Sequence, residues 1–270
     1  MIEFTESFIE FALATLVPIY AGMISVIILV NLTHIKTRYL SAFALGLLLW
    51  FLFDTMNDAV QLGVNEGYVF DFHQTLLVLL FVAGFLLLTL SRGTKIASYD
   101  KIENSALPAL VALVVALGMG IHGFGEGLEF GALAAGTPTV SVLDAIGGLG
   151  GGISYFLHKL LESIIVVVVF IAAARISKSI NKQVRQAAII GLIFAIPSMI
   201  GEALAYYIPM NATYFFAMGA GAAVSVALEV IGPIFGESGN EEVSFSQWLG
   251  ISLSVLLGFF FLYGAALFHS

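Results

Sequence analysis

The sequence predicts an all-α membrane protein whose residues 1–270 form a single transmembrane domain of eight helices. Of its 270 residues, 60% are hydrophobic and only 10% are charged, whereas a soluble domain carries about 25% charged residues. The apolar residues occur in runs of about twenty, the length that a helix needs to cross the bilayer core. They do not alternate as in the strands of an outer-membrane barrel. This pattern excludes a soluble enzyme and a disordered regulator.

Charge and cysteine content narrow the chemistry. Ten Lys and Arg residues against 18 Asp and Glu residues give a net charge of −8, so the basic patch of a nucleic-acid-binding protein is absent. The chain has no cysteine, which excludes disulfides, thiolate metal sites and iron–sulfur clusters. A bound metal would therefore need imidazole, carboxylate, thioether or neutral oxygen ligands.

The eight predicted spans follow the apolar runs in order. The first follows an acidic N-terminal segment that lacks the basic region of a signal peptide, so we expect it to be retained. The fifth opens with the run GGLGGG, which we interpret as a hinge or a close-packing segment. The spans are Phe8–Leu32, Leu40–Leu62, Phe72–Leu90, Leu107–Ala135, Ala145–Ala174, Ala187–Ile208, Thr213–Phe235 and Trp248–Phe268.

The basic residues predict the topology. Nine of the ten cations lie in or beside alternate loops, those between spans one and two, three and four, and five and six. By the positive-inside rule these loops are cytoplasmic, so we expect both termini outside a cell membrane. The nine residues are Lys36, Arg38, Arg92, Lys95, Lys101, Arg175, Lys178, Lys182 and Arg185.

Several ionisable residues fall inside the predicted spans. Eight ionised groups at mid-membrane would cost on the order of 20–28 kcal/mol, more than the typical folding stability of about 5–15 kcal/mol. They must therefore face one another, a wet cavity or bound cations. The eight are Asp54, Asp58, Glu126, Glu129, Lys159, Glu162, Glu202 and Glu229, accompanied by His122 and His158.

Two His-x-x-x-Glu steps predict a metal site on spans four and five. His122 and Glu126, and likewise His158 and Glu162, lie four residues apart, which places each pair within about 40° on one helix face. An imidazole and a carboxylate so placed can bind one cation, and two adjacent helices can complete its coordination. Glu202 is a further candidate ligand.

The other polar residues in the spans have more than one interpretation. Asp54, Asn57 and Asp58 share one face of span two. These three and Glu229 either line an access path, pair inside the protein or bind the ion directly. Glu129 and Lys159 we interpret as residues that support or gate the site, with Lys159 flanking the His158–Glu162 step.

At these positions the sequence resembles the ZIP (Zrt-/Irt-like protein) family of divalent-metal transporters. HGFGEG, from His122 to Gly127, resembles the family's His-Asn-x-Pro-Glu-Gly, and HKLLES, from His158 to Ser163, resembles its His-acid-x-x-Glu pattern. Glu202 matches the glutamate of the family's sixth span. The stretch Phe215–Pro233 is similar to the seventh, with Glu229 at its acidic position.

The resemblance implies a mid-membrane metal site formed by His122, Glu126, His158 and Glu162, with Glu202 contributing. It also implies a 3+2+3 helix arrangement with an inverted repeat, a homodimer, and sliding or rocking of the binding helices against a scaffold. The implied activity is movement of metal toward the cytoplasm.

Three residues depart from the family pattern. Gly123 and Gly125 replace the usual Asn and Pro, and Lys159 stands where many relatives have an acid or Asn. A protonated ammonium cannot bind metal. We therefore predict one metal per chain, with Lys159 replacing a second cation through Glu162 or Glu202.

The favoured function is transport of a divalent transition metal, with no enzymatic activity. Imidazole and carboxylate ligands suit zinc or iron first, with manganese, cobalt, nickel and cadmium as further candidates. The expected partners are the bilayer, the metal ion and a second copy of the chain. Two alternatives stay open: an intramembrane metal-dependent hydrolase, and a cation or proton channel.

Overall fold

The computed structural model describes residues 2–33, 35–58, 72–93, 110–136, 143, 147–173, 179–235 and 244–267. All regular structure in these ranges is helical, which confirms the predicted all-α class. The helices are α1 (Phe4–Thr33), α2 (Thr37–Asp58), α3 (Phe72–Gly93), α4 (Leu110–Gly136), α5 (Gly148–Ala173), α6 (Ile180–Tyr207), α7 (Thr213–Phe235) and α8 (Phe245–Ala266).

The length and composition of these helices make the chain a membrane-embedded protein. Within the described ranges, α1, α2, α5, α6 and α8 each contain a segment long and apolar enough to cross a bilayer. Shorter apolar segments lie at 72–87 in α3 and 213–228 in α7.

Helix ends differ from the predicted ends at several places. α1 begins at Phe4 rather than Phe8, and α6 begins at Ile180 rather than Ala187. The extra turns of α6 contain Gln, Lys and Arg, which are good helix formers, so the helix continues past its apolar stretch. Five predicted ends lie outside the described residues: Leu62, Leu107, Ala145, Ala174 and Phe268.

The glycine run before α5 contains a turn that only glycine adopts readily. Gly147 and Gly148 have φ angles of 91° and 73°, the region that residues with a Cβ rarely occupy. The chain therefore turns at these two residues and enters α5 directly, which places His158 ten residues into the helix.

The helix packing has a regular pattern. α4 packs most extensively against α6, and α1 packs against both α5 and α6. α2 packs against α7 and α8, while α3 packs against α7. The packing pairs are preserved when α1 is exchanged with α6, α2 with α7, α3 with α8, and α4 with α5. Each substantial pair then becomes another observed pair or itself, and the slight α5–α7 contact is the exception.

Glycines allow the closest helix approaches. A Cβ added to Gly127 of α4 would meet the Ser198 carbonyl oxygen of α6, and one added to Gly201 of α6 would meet the Phe124 carbonyl oxygen of α4. Gly46 of α2 and Gly258 of α8 make the same reciprocal approach. Small residues at such crossings let helix backbones pack closely in membranes. The α4–α6 crossing thereby fixes the part of α4 that contains Glu126.

Candidate metal centre

Four predicted ligands come together inside the protein. His122 and Glu126 project from α4, and His158 and Glu162 project from α5. Each residue offers one ligand atom, and these four atoms all lie within 4.8 Å of one another. The helical i, i+4 step brings each pair to one face, and the packing of α4 against α5 brings the two faces together.

The four ligand atoms form a closed ring in which nitrogen and oxygen alternate. His122 Nε2 lies 3.6 Å from Glu126 Oε1 and 3.7 Å from Glu162 Oε1. His158 Nε2 lies 3.5 Å from Glu126 Oε1 and 3.4 Å from Glu162 Oε1. Both carboxylates thus direct the same oxygen, Oε1, toward both imidazoles.

These dimensions fit a small divalent metal. Ligands at zinc distances of about 2.0–2.1 Å in a tetrahedron are about 3.3–3.4 Å apart, close to the observed edges of 3.4–3.7 Å. His158 Nε2 and Glu162 Oε1 are buried and make no hydrogen bond to the described residues. Buried polar atoms normally have partners, so the ring has the chemistry of a metal-binding site.

Lys159 binds the other oxygen of each carboxylate. Its Nζ forms ion pairs with Glu126 Oε2 and, at 2.6 Å, with Glu162 Oε2. The side chain of Lys159 is fully buried. The ammonium therefore bridges the two carboxylates on the side away from the imidazoles. Of the two partners predicted for Lys159, Glu162 or Glu202, the structure has Glu162, and the second partner of the ammonium is Glu126.

Aromatic residues that the sequence did not single out pack around His122. The ring centroid of Phe51, from α2, lies 4.5 Å from that of His122, and Phe216, from α7, lies 5.2 Å away. A Cβ on Gly219 of α7 would lie 2.7 Å from His122 Cβ. Because His122 Nδ1 has no hydrogen-bond partner among the described residues, this packing holds the imidazole in position.

A second aromatic layer lies one turn along α4 from the ring. Phe11 of α1 stacks on Phe130 of α4 at 4.6 Å and contacts Tyr155 of α5 at 5.9 Å. The hydroxyl of Tyr155 is 3.0 Å from Thr15 Oγ1, and its ring lies 5.9 Å from Lys159 Nζ. The layer covers the ring on the side of the α4 C-terminus.

The ring residues differ in their remaining exposure. Glu126 and His158 retain 15% and 17% of their side-chain surface, whereas Glu162 and Lys159 retain none. The remaining exposure of the ring is therefore greatest at Glu126 and His158.

Glu202 is buried but lies outside the group of four. Its Oε1 accepts a hydrogen bond of 2.8 Å from Ser7 Oγ of α1, and its Oε2 has no partner among the described residues. Ser7 was not anticipated, because a single serine near the start of an apolar helix carries no distinguishing sequence signal. A ligand role for Glu202 stays a prediction.

Of the remaining candidates, the described side chains of Asp54 and Glu129 do not join the group of four. Asp54 is half-buried on α2 and Glu129 is exposed on α4. Asn57 and Asp58 belong to the last turn of α2 and Glu229 to α7, but their side chains lie outside the described residues. The predicted roles of Asp54, Asn57, Asp58 and Glu229 in an access path, in pairing or in direct binding stay predictions, as does the supporting or gating role of Glu129.

Comparison of the chain with protein-family models and with curated proteins found no match. Function is therefore inferred from two features of the molecule itself. The chain is a helical membrane protein, and it contains a buried group of two histidines and two glutamates that could hold a metal ion.

Proposed function

We propose that this protein transports a divalent transition metal, with zinc or iron favoured, across the cell membrane toward the cytoplasm. The observation that carries the proposal is the ring of His122, Glu126, His158 and Glu162 within membrane-embedded helices. Mixed imidazole and carboxylate ligands suit zinc, iron, manganese, cobalt, nickel and cadmium, and affinity alone does not choose among them.

The charge of the site supports binding of one metal. With neutral imidazoles, the two glutamates and Lys159 sum to a net charge of −1, which attracts a dication. Lys159 already binds the Oε2 atoms of Glu126 and Glu162, so a second dication would have to displace its ammonium and would be repelled by it. We therefore propose a single-metal site.

The helix packing supports an arrangement of eight spans as 3+2+3. The pairing pattern survives exchange of α1–α3 with α6–α8 and of α4 with α5. If every helix crosses the membrane, α1 and α6 run in opposite directions, so the two halves form an inverted repeat, as in many secondary transporters. In the proposed topology both termini are outside and the Phe11–Phe130–Tyr155 layer lies on the outer side of the ring.

The packing also supports movement of one group of helices against another. α1, α4, α5 and α6 pack on one another, while α2, α3, α7 and α8 form a second group. Two members of the second group, α2 and α7, also contact the ring at His122. We propose that sliding or rocking between the two groups exposes the metal to alternate sides, and that the protein is a homodimer.

Transport by liposomes containing the purified protein tests the proposal. We expect Glu126→Gln and Glu162→Gln to reduce uptake of labelled zinc and iron by at least about tenfold, because each loses a charged ligand. Glu6→Gln changes an exposed glutamate of α1 and should transport at the parental rate. Parental uptake by folded Glu126→Gln and Glu162→Gln proteins would refute the proposal. Saturable uptake distinguishes a carrier from a channel.

A further inference from the structure

A cavity of about 420 Å³ lies between α1 and α5, outside the group of four candidate ligands. Glu10 and Ala14 of α1 line one side, and residues of the N-terminal third of α5 line the other. A protein interior is close-packed and has few voids larger than a water molecule, whereas ligand sites have volumes of about 300–1,000 Å³. The cavity is therefore large enough to hold a ligand.

The cavity results from the way in which α1 packs on α5. A Cβ added to Gly22 of α1 would collide with the carbonyl oxygen of Leu160 of α5. Nearer to the N-terminal ends of the helices, the hydroxyl oxygens of Thr15 and Tyr155 are 3.0 Å apart. Beyond this contact the two helices leave the cavity between their N-terminal turns. Tyr155 belongs to both the contact and the lining, so it closes the cavity on this side.

The lining of the cavity has the chemistry of a site for an acyl chain. Leu149, Ile153 and Phe156 line it and are 71%, 41% and 38% exposed. On a membrane-embedded helix such exposed apolar side chains face lipid. An apolar cavity stays dry and takes up an apolar ligand. A lipid chain therefore fills this cavity better than water does.

Glu10 is the one charged residue among the described lining residues. The sequence of α1 contains no Lys or Arg, and the only Lys of α5, Lys159, binds Glu126 and Glu162. Glu10 thus has no cationic side chain from either helix that forms the cavity. Hydrogen bonds between an ammonium and a carboxylate are among the strong ones, so the charge of Glu10 favours a ligand with an ammonium group.

The depth of Glu10 places such an ammonium where lipid headgroups lie. α1 has 30 residues and is therefore about 45 Å long, which matches a bilayer with both of its headgroup layers. Glu10 lies about 9 Å from the start of this helix, near the boundary between headgroups and acyl chains. In the proposed topology this boundary belongs to the outer leaflet. A lipid there can reach Glu10 with its headgroup and the cavity with its chain.

We infer that this cavity binds an ethanolamine phospholipid, with one acyl chain between α1 and α5 and the ammonium on Glu10. A primary ammonium has three N–H donors for the carboxylate, whereas the quaternary ammonium of a choline lipid has none. An anionic glycerol lipid would be repelled by Glu10. The inference concerns lipid binding alone, so it does not depend on metal transport.

Photochemical labelling of the purified full-length protein tests whether a lipid chain occupies the cavity. The protein is placed in nanodiscs of glycerol phospholipid that contain an ethanolamine phospholipid with a diazirine in its acyl chain. We expect the label on α1 near Ala14 and on α5 near Ile153. Ala14→Trp fills the cavity and should lower this labelling by at least about fivefold. Leu13→Trp is the matched control, because Leu13 is 56% exposed and is not among the described lining residues.

Competition with unlabelled lipids tests whether Glu10 selects the headgroup. We expect ethanolamine phospholipid to displace the probe from the parent at least about threefold better than choline phospholipid does. Glu10→Gln should lose this difference because its neutral side chain no longer attracts the ammonium. Glu6→Gln, which changes an exposed glutamate that is not among the described lining residues, should keep it.

Three results would overturn the inference. Equal labelling of the parent and folded Ala14→Trp would show that the probe reports only lipid around the protein. A parental cavity that takes no label would show that another occupant, such as a second copy of the chain, covers it. Equal displacement by the two lipids in the parent would show that Glu10 does not select the headgroup. If Ala14→Trp does not fold, the competition in the parent and Glu10→Gln decides alone. None of these results bears on the proposed function, which metal uptake tests separately.

Discussion

Lys159 sets the net charge of the ring of four candidate ligands and holds the two carboxylates of that ring in place. Its ammonium bridges Glu126 and Glu162 through their Oε2 atoms, so both Oε1 atoms face the imidazoles. Removing one partner from a buried ionic group typically costs about 3–5 kcal/mol. The residue therefore stabilises the metal-free protein while it weakens the attraction for a dication.

Lys159→Met should have opposite effects on stability and on metal binding. Without metal, the melting temperature should fall because two buried carboxylates lose their counter-charge. The zinc Kd should fall by about tenfold or more because the ring gains negative charge. Thermal unfolding and calorimetry with and without zinc measure both effects, and Lys36→Met, at an exposed position, is the control. An unchanged or higher zinc Kd in the variant would contradict this account.

Zinc binding should weaken as the pH falls. Imidazole and carboxylate bind metal only when deprotonated, so protons compete with zinc for all four ligands. Lowering the pH from about 7.5 to about 5.5 should therefore raise the Kd by about tenfold or more. Calorimetry across this range measures the effect. A Kd that stays constant would show that the imidazoles do not bind the metal.

The sequence predicts which side chains form the ring, but it does not predict what the Oε2 atoms of the two glutamates bind. Four-residue spacing is a local property of any helix, so the His122–Glu126 and His158–Glu162 pairs follow from the sequence. The choice of Glu126 rather than Glu202 as the second partner of Lys159 depends on how α4, α5 and α6 are rotated in the packed structure. Spacing along one chain segment does not encode that rotation.

The close packing of α4 on α6 at Gly127 determines the position of Glu126, a candidate metal ligand. Gly127 follows Glu126 directly, and its backbone approaches the Ser198 carbonyl oxygen so closely that a methyl group would collide with it. Any side chain at this position must push α4 away from α6. Glu126 would then move relative to α5 and its ring partners.

Gly127→Ala should therefore lower both stability and metal affinity. We expect the melting temperature to fall by several degrees, equivalent to about 1–3 kcal/mol of overpacking, and zinc binding to weaken with it. Gly264→Ala is the matched control, because an added Cβ there meets nothing within 4 Å. Equal melting temperatures for the two variants would show that the crossing is looser than described.

Helix existence was predictable from apolar run length, whereas some helix ends were not. α6 continues seven residues before the predicted start because residues such as Gln183 and Gln186 are buried against neighbouring helices. Asn31 of α1 donates to Gln183 at 2.9 Å, a contact between distant segments. A prediction from hydropathy assigns such polar residues to a loop, because hydropathy measures only the free energy of transfer into lipid.

The absence of cysteine from the whole chain makes its topology directly testable. Single cysteines introduced at Thr5 and at Lys36 can be labelled without background. We expect a membrane-impermeant maleimide to label Thr5→Cys in intact cells and to label Lys36→Cys only after permeabilisation, because the positive-inside rule predicts that the basic loop is cytoplasmic. Labelling of Lys36→Cys in intact cells would reverse the proposed orientation and the proposed direction of transport.

The two equivalent helix pairs are packed unequally: α4 against α6 more extensively than α1 against α5. If the two halves of the molecule are interchangeable, the conformation that opens to the other side of the membrane has the packing of the two helix pairs exchanged. Closing α1 onto α5 would then loosen α4 from α6. Gly22 of α1, which lies against Ser163 of α5, would then allow the close helix approach that Gly127 allows in the present conformation. Spin-label distances across the two pairs should consequently change in opposite senses during one transport cycle.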